Sequence, residues 1–148
     1  MKLTDTAIAC LRAAGWSPER QINITLHVAM LENEGYEVSE MAASFLRSFG
    51  DLQLQVPNAY GPGTDEVSFK VITTVKNRFK EHVDYYAQRI GAPSLCLIGE
   101  MYQGYLLTAL SPDGRMVAGF DEELFLVGVS PEDALNKLCA GVKLTRIP

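Results

Sequence analysis

The sequence predicts an α+β fold: a single antiparallel-dominated β-sheet of about six strands with helices packed on one side, N-terminal helices before it and one C-terminal helix after it. Three observations carry this expectation. Apolar residues recur at helical spacing through the first fifty positions, the period changes to two at Leu52, and turn signals punctuate the segment beyond Ala92 in the manner of hairpins. No repeat, low-complexity tract or linker divides the chain, so residues 1–148 are expected to form one domain, long enough to bury a core without disulfides or metal.

The elements follow in order. Leu3, Ala7, Ile8, Leu11 and Ala14 form one apolar stripe that Gly15 ends. Asn23 is placed to cap a second helix with the face Ile24, His27, Val28 and Leu31, closed by Gly35. A third starts at Ser39, buries Ala42, Phe45, Leu46 and Phe49, and stops at Gly50. Leu52, Leu54 and Val56 then alternate with Gln53 and Gln55, as in a strand with one wet face, and Val67, Phe69 and Val71 predict a second strand. Phe79, Val83, Tyr86, Ala87 and Ile90 mark a fourth helix, ending at Gly91. Segments 95–102 and 105–110 flank the turn Gln103-Gly104. Ser111-Pro112-Asp113-Gly114 leads to strands at 116–119 and 124–127. Ser130, Pro131, Glu132 and Asp133 supply a cap, a proline at the first turn and acidic residues beside the positive end of a last helix. Its stripe is Ala134, Leu135, Leu138, Cys139 and Val142.

Composition narrows the function classes. Eighteen acidic against thirteen basic residues give a formal charge of −5, which argues against a general nucleic-acid binder and suits a basic partner. Cys10, Cys96 and Cys139 are odd in number, lie far apart in sequence and form no Cys-x-x-Cys pair, so they read as small buried residues in a reducing compartment. No apolar run fit for a signal peptide or membrane span follows the start, which predicts a cytoplasmic protein without membrane contact. Walker, dinucleotide and Gly-x-Ser-x-Gly motifs are lacking, and His27 and His82 belong to no metal or deaminase pattern. Neither a catalytic residue, a metal nor a cofactor is therefore expected. His27 reads as a partnered, partly buried imidazole, and His82 as solvated.

The order of helix, Gly15-Trp16-x-Pro18-x-Arg20, helix, Gly35-Tyr36, and helix ending in Phe45-Leu46-x-x-Phe49-Gly50-x-Leu52 resembles the SUKH superfamily of bacterial immunity proteins, in particular its third group. The second half is similar too, through Leu97-Ile98-Gly99-Glu100, Asp113-Gly114-Arg115 and the run from Val127 to Leu135. Two positions depart from that pattern: Glu19 and Asp51 stand where relatives often carry glycine. The resemblance implies a non-catalytic protein that binds and neutralises a cognate toxin, often a nuclease. Within it, Gly15, Trp16, Pro18 and Arg20 read as a structural signature, with Trp16 packing at the helix junction and Arg20 pairing or capping carbonyls.

Partner-binding candidates are the aromatic and acidic residues outside the apolar stripes. They are Tyr60 and Asp65 in the Pro/Gly-rich loop, Asp84 and Tyr85 on the wet side of the fourth helix, Glu100 and Tyr102 as neighbours on one strand face, and the run Asp121, Glu122 and Glu123. The leading expectation is an immunity protein that occludes the active site of a basic, nuclease-type toxin, without direct nucleic-acid contact. A weak homodimer through a sheet edge is compatible with it. The alternative is a bacterial regulatory scaffold that binds a small molecule or peptide, and a small hydrolase with a dispersed site ranks third.

Overall fold

The computed structural model describes residues 2–76 and 79–148. Its elements run α1 (Asp5–Ala13), α2 (Thr25–Asn33), α3 (Glu40–Phe49), β1 (Gln53–Pro57), β2 (Thr64–Ser68), α4 (Val71–Val75), α5 (Lys80–Ile90), β3 (Cys96–Met101), β4 (Leu106–Leu110), β5 (Met116–Phe120), β6 (Glu123–Gly128), α6 (Pro131–Cys139) and β7 (Thr145–Ile147). Seven strands in the order β1 to β7 make one sheet, every neighbouring pair antiparallel. The α+β architecture is as expected, with one strand and one helix more.

Local chemistry explains the helix ends. Thr4, Ser39 and Ser130 each accept the N–H of the residue three places on, and Asp133 accepts from Val129 in return. Helix α2 begins one place later than expected: Asn23 lies outside the cap position but its side chain still accepts the Thr25 N–H at 2.9 Å. Gly15, at φ 103°, closes α1 with paired bonds from its own N–H to Arg12 and from the Trp16 N–H to Leu11.

Four expectations are corrected. Val71 begins α4 rather than ending a strand, and β2 stops at Ser68 while Phe69 keeps a ladder-like bond to Leu52. Its residues, Val-Ile-Thr-Thr-Val, favour a strand by themselves, but α4 is held against α2 and β3, so packing overrides propensity. Val142 is exposed, because α6 ends at Cys139 and Gly141, at φ 70°, turns the chain away. Cys10 is only half-buried, whereas Cys96 and Cys139 are buried; all three are free thiols. Burial pushes the Cys139 thiol upward, with further help from Cys10 at the α1/α6 contact.

The one-sided cover is refined. All five β4 residues are buried, which for alternating side chains requires cover on both faces. Gly128 abuts Ala134 of α6. Gly119, three positions along β5 from Gly128's partner Met116, abuts Tyr86 of α5 on the opposite face. A Cβ on Gly119 would stand 2.5 Å from the Tyr86 ring, so the missing side chain is what lets α5 lie down.

The signature segment joins the helices to the sheet. Trp16 stacks on Phe49 with ring centres 5.9 Å apart, Phe49 meets Phe45 at 5.1 Å, and Phe45 meets Phe69 edge-on at 5.0 Å. Arg20 donates from both guanidinium nitrogens, at 2.8 Å each, to the carbonyls of Ser48 and Gly50 at the end of α3. His27 is buried and contacts Asp51 at 2.9 Å. Asp51 holds a left-handed φ of 66° that glycine would adopt more easily.

Candidate functional site

The β5–β6 hairpin is the centre of the candidate surface. Phe120 pairs with Glu123 across a two-residue loop, so Asp121 and Glu122 form its tip, with Asp121 at φ 50°. Helix α5 grips the tip by its backbone. The Tyr86 hydroxyl donates to the Asp121 carbonyl at 2.9 Å, and Arg89 donates to the Glu122 carbonyl and, at 3.0 Å, to that of Ile147. Burial, and next the Asp121 charge, pushes the Tyr86 phenol up to about 12, so it stays a donor through the neutral range.

On the α5 side of the hairpin lies a cleft of about 490 Å³ lined by Glu81, His82, Tyr85, Asp121 and Glu122. Three candidates from the sequence, Tyr85, Asp121 and Glu122, therefore come together there. Glu81 joins them and was not expected; it lies one helical turn before Tyr85, a spacing that places the two side by side. No ion pair engages Glu81, Asp121 or Glu122 among the described residues. Arg89 covers the Tyr85 ring at 5.6 Å.

On the other side a second cleft, of about 310 Å³, has apolar walls from Tyr60, Tyr102, Tyr105, Phe120, Phe125 and Leu144, with Glu123 at its rim. Tyr60 meets Tyr102 edge-on at 6.1 Å, and Tyr105 meets Phe120 at 6.2 Å. The Leu144 N–H donates to the Tyr60 hydroxyl at 3.1 Å, and Lys143 sits 5.9 Å over the Tyr60 ring. Burial, then Tyr60 and Asp65, pushes the Tyr102 phenol up to about 12, which places all three in one neighbourhood. Glu123 is already paired with Arg146 at 3.0 Å.

Three candidates line neither cleft: Asp65, which lies in β2 opposite Val56 rather than in the loop, Asp84 and Glu100. Asp84 is paired with Lys80 at 2.6 Å. Glu100 and Tyr102 do not share a strand face: Tyr102 leaves the strand at φ 55° to open the hairpin turn, whereas Glu100 remains in β3 opposite Leu107, its carboxylate close to Gly104. Tyr105, Phe120, Phe125 and Leu144 were not foreseen. Tyr105 had one usable signal, its place directly after the Gln103-Gly104 turn, where a large apolar side chain seldom reaches a core.

Among the described residues the large aromatic side chains that stand exposed are Tyr60, Tyr85, Tyr105 and Phe120, and all four border this hairpin. The surface offers ring faces, phenol tips and carboxylates, groups that suit contact with a cationic and apolar partner. Among the described residues no group of three or more His, Cys, Asp or Glu is placed to hold a metal ion, and no helix is long and apolar enough to cross a membrane.

No curated protein and no solved structure matches the chain. The model of the SUKH-3 immunity protein family does, over residues 3–141. That span runs from two residues before α1 to just past the end of α6, taking in the signature segment, the sheet up to β6 and the β5–β6 hairpin. The chain therefore belongs to the SUKH-3 immunity protein family.

Proposed function

We propose that this protein neutralises a cationic, nuclease-type toxin by docking the β5–β6 hairpin and its two clefts over the toxin's active site, without turnover of its own. Family membership implies immunity to a toxin and a cognate toxin as partner. The observation that supports this surface is the gathering of Glu81, Tyr85, Asp121 and Glu122 into one cleft where none of the three carboxylates has a cation partner among the described residues. Unpaired carboxylates beside a Tyr ring complement the basic groove with which a nuclease holds phosphates, and they speed encounter with it.

The test uses the toxin-domain protein encoded beside this one. Asp121→Lys with Glu122→Lys should slow its association roughly tenfold or more, with a weakened dependence on salt. Protection of cells should fall in parallel, while wild-type protein co-purifies with the toxin. Protection that persists with no complex formed would sink direct occlusion.

A further inference from the structure

We infer that the apolar cleft between Tyr60 and Phe120 receives one large apolar side chain of the toxin, immediately next to a basic residue that reaches the Asp121/Glu122 tip. This inference rests on the proposed docking surface and specifies what must be presented to it. At about 310 Å³ the cleft is at the small end of sites that enclose a ligand, which suits a single aromatic or long aliphatic side chain rather than a whole organic molecule. Its walls are apolar, and Tyr60, Tyr105 and Phe120 leave 55%, 67% and 47% of their surface in water. An exposed aromatic cleft of this kind is where a buried anchor yields most binding energy.

Charge fixes the direction of the occupant. The β7 side of the cleft is already cationic, with Lys143 over Tyr60 and Arg146 on Glu123. Three carboxylates without a cation among the described residues, Asp121, Glu122 and Glu81, cluster on the α5 side, while Asp65 stands near Tyr102. A segment with its apolar side chain in the cleft therefore directs its basic neighbour toward α5 and away from β7. Tyr105 and Phe120 line the apolar cleft and also, with His82 and Asp121 of the acidic cleft, a smaller cavity of about 130 Å³, so the two clefts adjoin and one short segment can engage both.

Labelled full-length protein titrated with three capped dipeptide amides, Trp-Arg, Ala-Arg and Trp-Glu, tests this by amide chemical-shift changes. Trp-Arg should move the signals of Tyr60, Tyr102, Phe120 and Asp121, and both other peptides should need roughly tenfold higher concentration for the same shift. Phe120→Ser, at an exposed position, should abolish the response to Trp-Arg while leaving the rest of the spectrum in place. Ala-Arg acting as strongly as Trp-Arg overturns the anchor and leaves the acidic docking surface standing. Trp-Glu acting as strongly as Trp-Arg overturns the inference together with the charge argument for docking. Absence of any shift at about 10 mM peptide overturns the inference alone, because co-purification with the toxin tests the docking surface independently.

Discussion

Two sets of aromatic rings organise this molecule, and they differ in both chemistry and place. The first, Trp16, Phe49, Phe45 and Phe69, runs inward in contact from the signature segment to the sheet, with Phe45 and Phe69 almost fully buried. The second, Tyr60, Tyr102, Tyr105 and Phe120, forms edge-on pairs around an open cleft at the other end of the sheet. The first set carries no hydroxyl to satisfy as it packs inward; Tyr36 and Tyr86 are buried as well, and of those two hydroxyls that of Tyr86 is bonded, to the Asp121 carbonyl. Tyrosines dominate outside, where a polar tip in water and an apolar body against a partner are both useful. The comparison separates scaffold from surface: one set holds helices to strands, and the other lines an open cleft at the surface.

The sharpest way to break that distinction is truncation. Phe45→Ala should cost about 3–5 kcal/mol of stability in a urea melt, since the ring touches Phe49 and Phe69 in a closed core. A loss no larger than that of an exposed tyrosine would erase the comparison. Arg20→Ala comes next, at about 2 kcal/mol, because two charge-assisted bonds to the end of α3 disappear. Arg20→Lys should recover only part of it, since an ammonium lacks the fork that meets both carbonyls.

A pH series probes both regions together. Tyr86, Tyr102 and the Cys96 thiol are all pushed up to about 12, in each case first by burial. Their folded-state values lie above the ordinary ones, near 10 for tyrosine and 9 for cysteine, so the folded protein keeps protons that the unfolded chain has released. Their contribution to stability is complete below pH about 9 and is lost progressively as pH rises from about 9 through about 12. Tyr86→Phe should flatten that decline in thermal melts, and an unchanged slope would show that the phenol titrates as in the unfolded chain. The smallest effect is expected at the surface: Tyr105→Ser and Phe120→Ser should each shift stability by no more than about 0.5 kcal/mol. A larger loss in either would move that ring into the scaffold set.

Much of the scaffold could be read from residues that act on their neighbours in sequence. Ser39 and Ser130 cap as placed, Gly15 and Gly91 end their helices, and the Gln103-Gly104 turn forms with positive φ at both positions. What escaped depends on distant contacts. Helix α4 is made of β-branched residues and exists only because α2 and β3 hold it, while β7 is three residues long, too short for alternation to register. The surface was legible in its acidic half, where Tyr85, Asp121 and Glu122 do meet. The apolar half was less so: Tyr105 had only its place after the turn as a signal, and Phe120 and Phe125 look like core positions of their strands until the sheet is seen to leave that end uncovered.

The grip of α5 on the hairpin has a thermodynamic consequence. Tyr86 and Arg89 hold the carbonyls of Asp121 and Glu122, so the tip that carries the carboxylates has already surrendered its conformational entropy during folding. Association at the proposed surface would then pay little further for ordering that segment, and more of the contact energy would appear as affinity and slow dissociation. Removing both donors, with Tyr86→Phe and Arg89→Ala together, would release the two carbonyls and leave Asp121 and Glu122 themselves unchanged. It would still turn a rigid contact into one that must be ordered at each encounter.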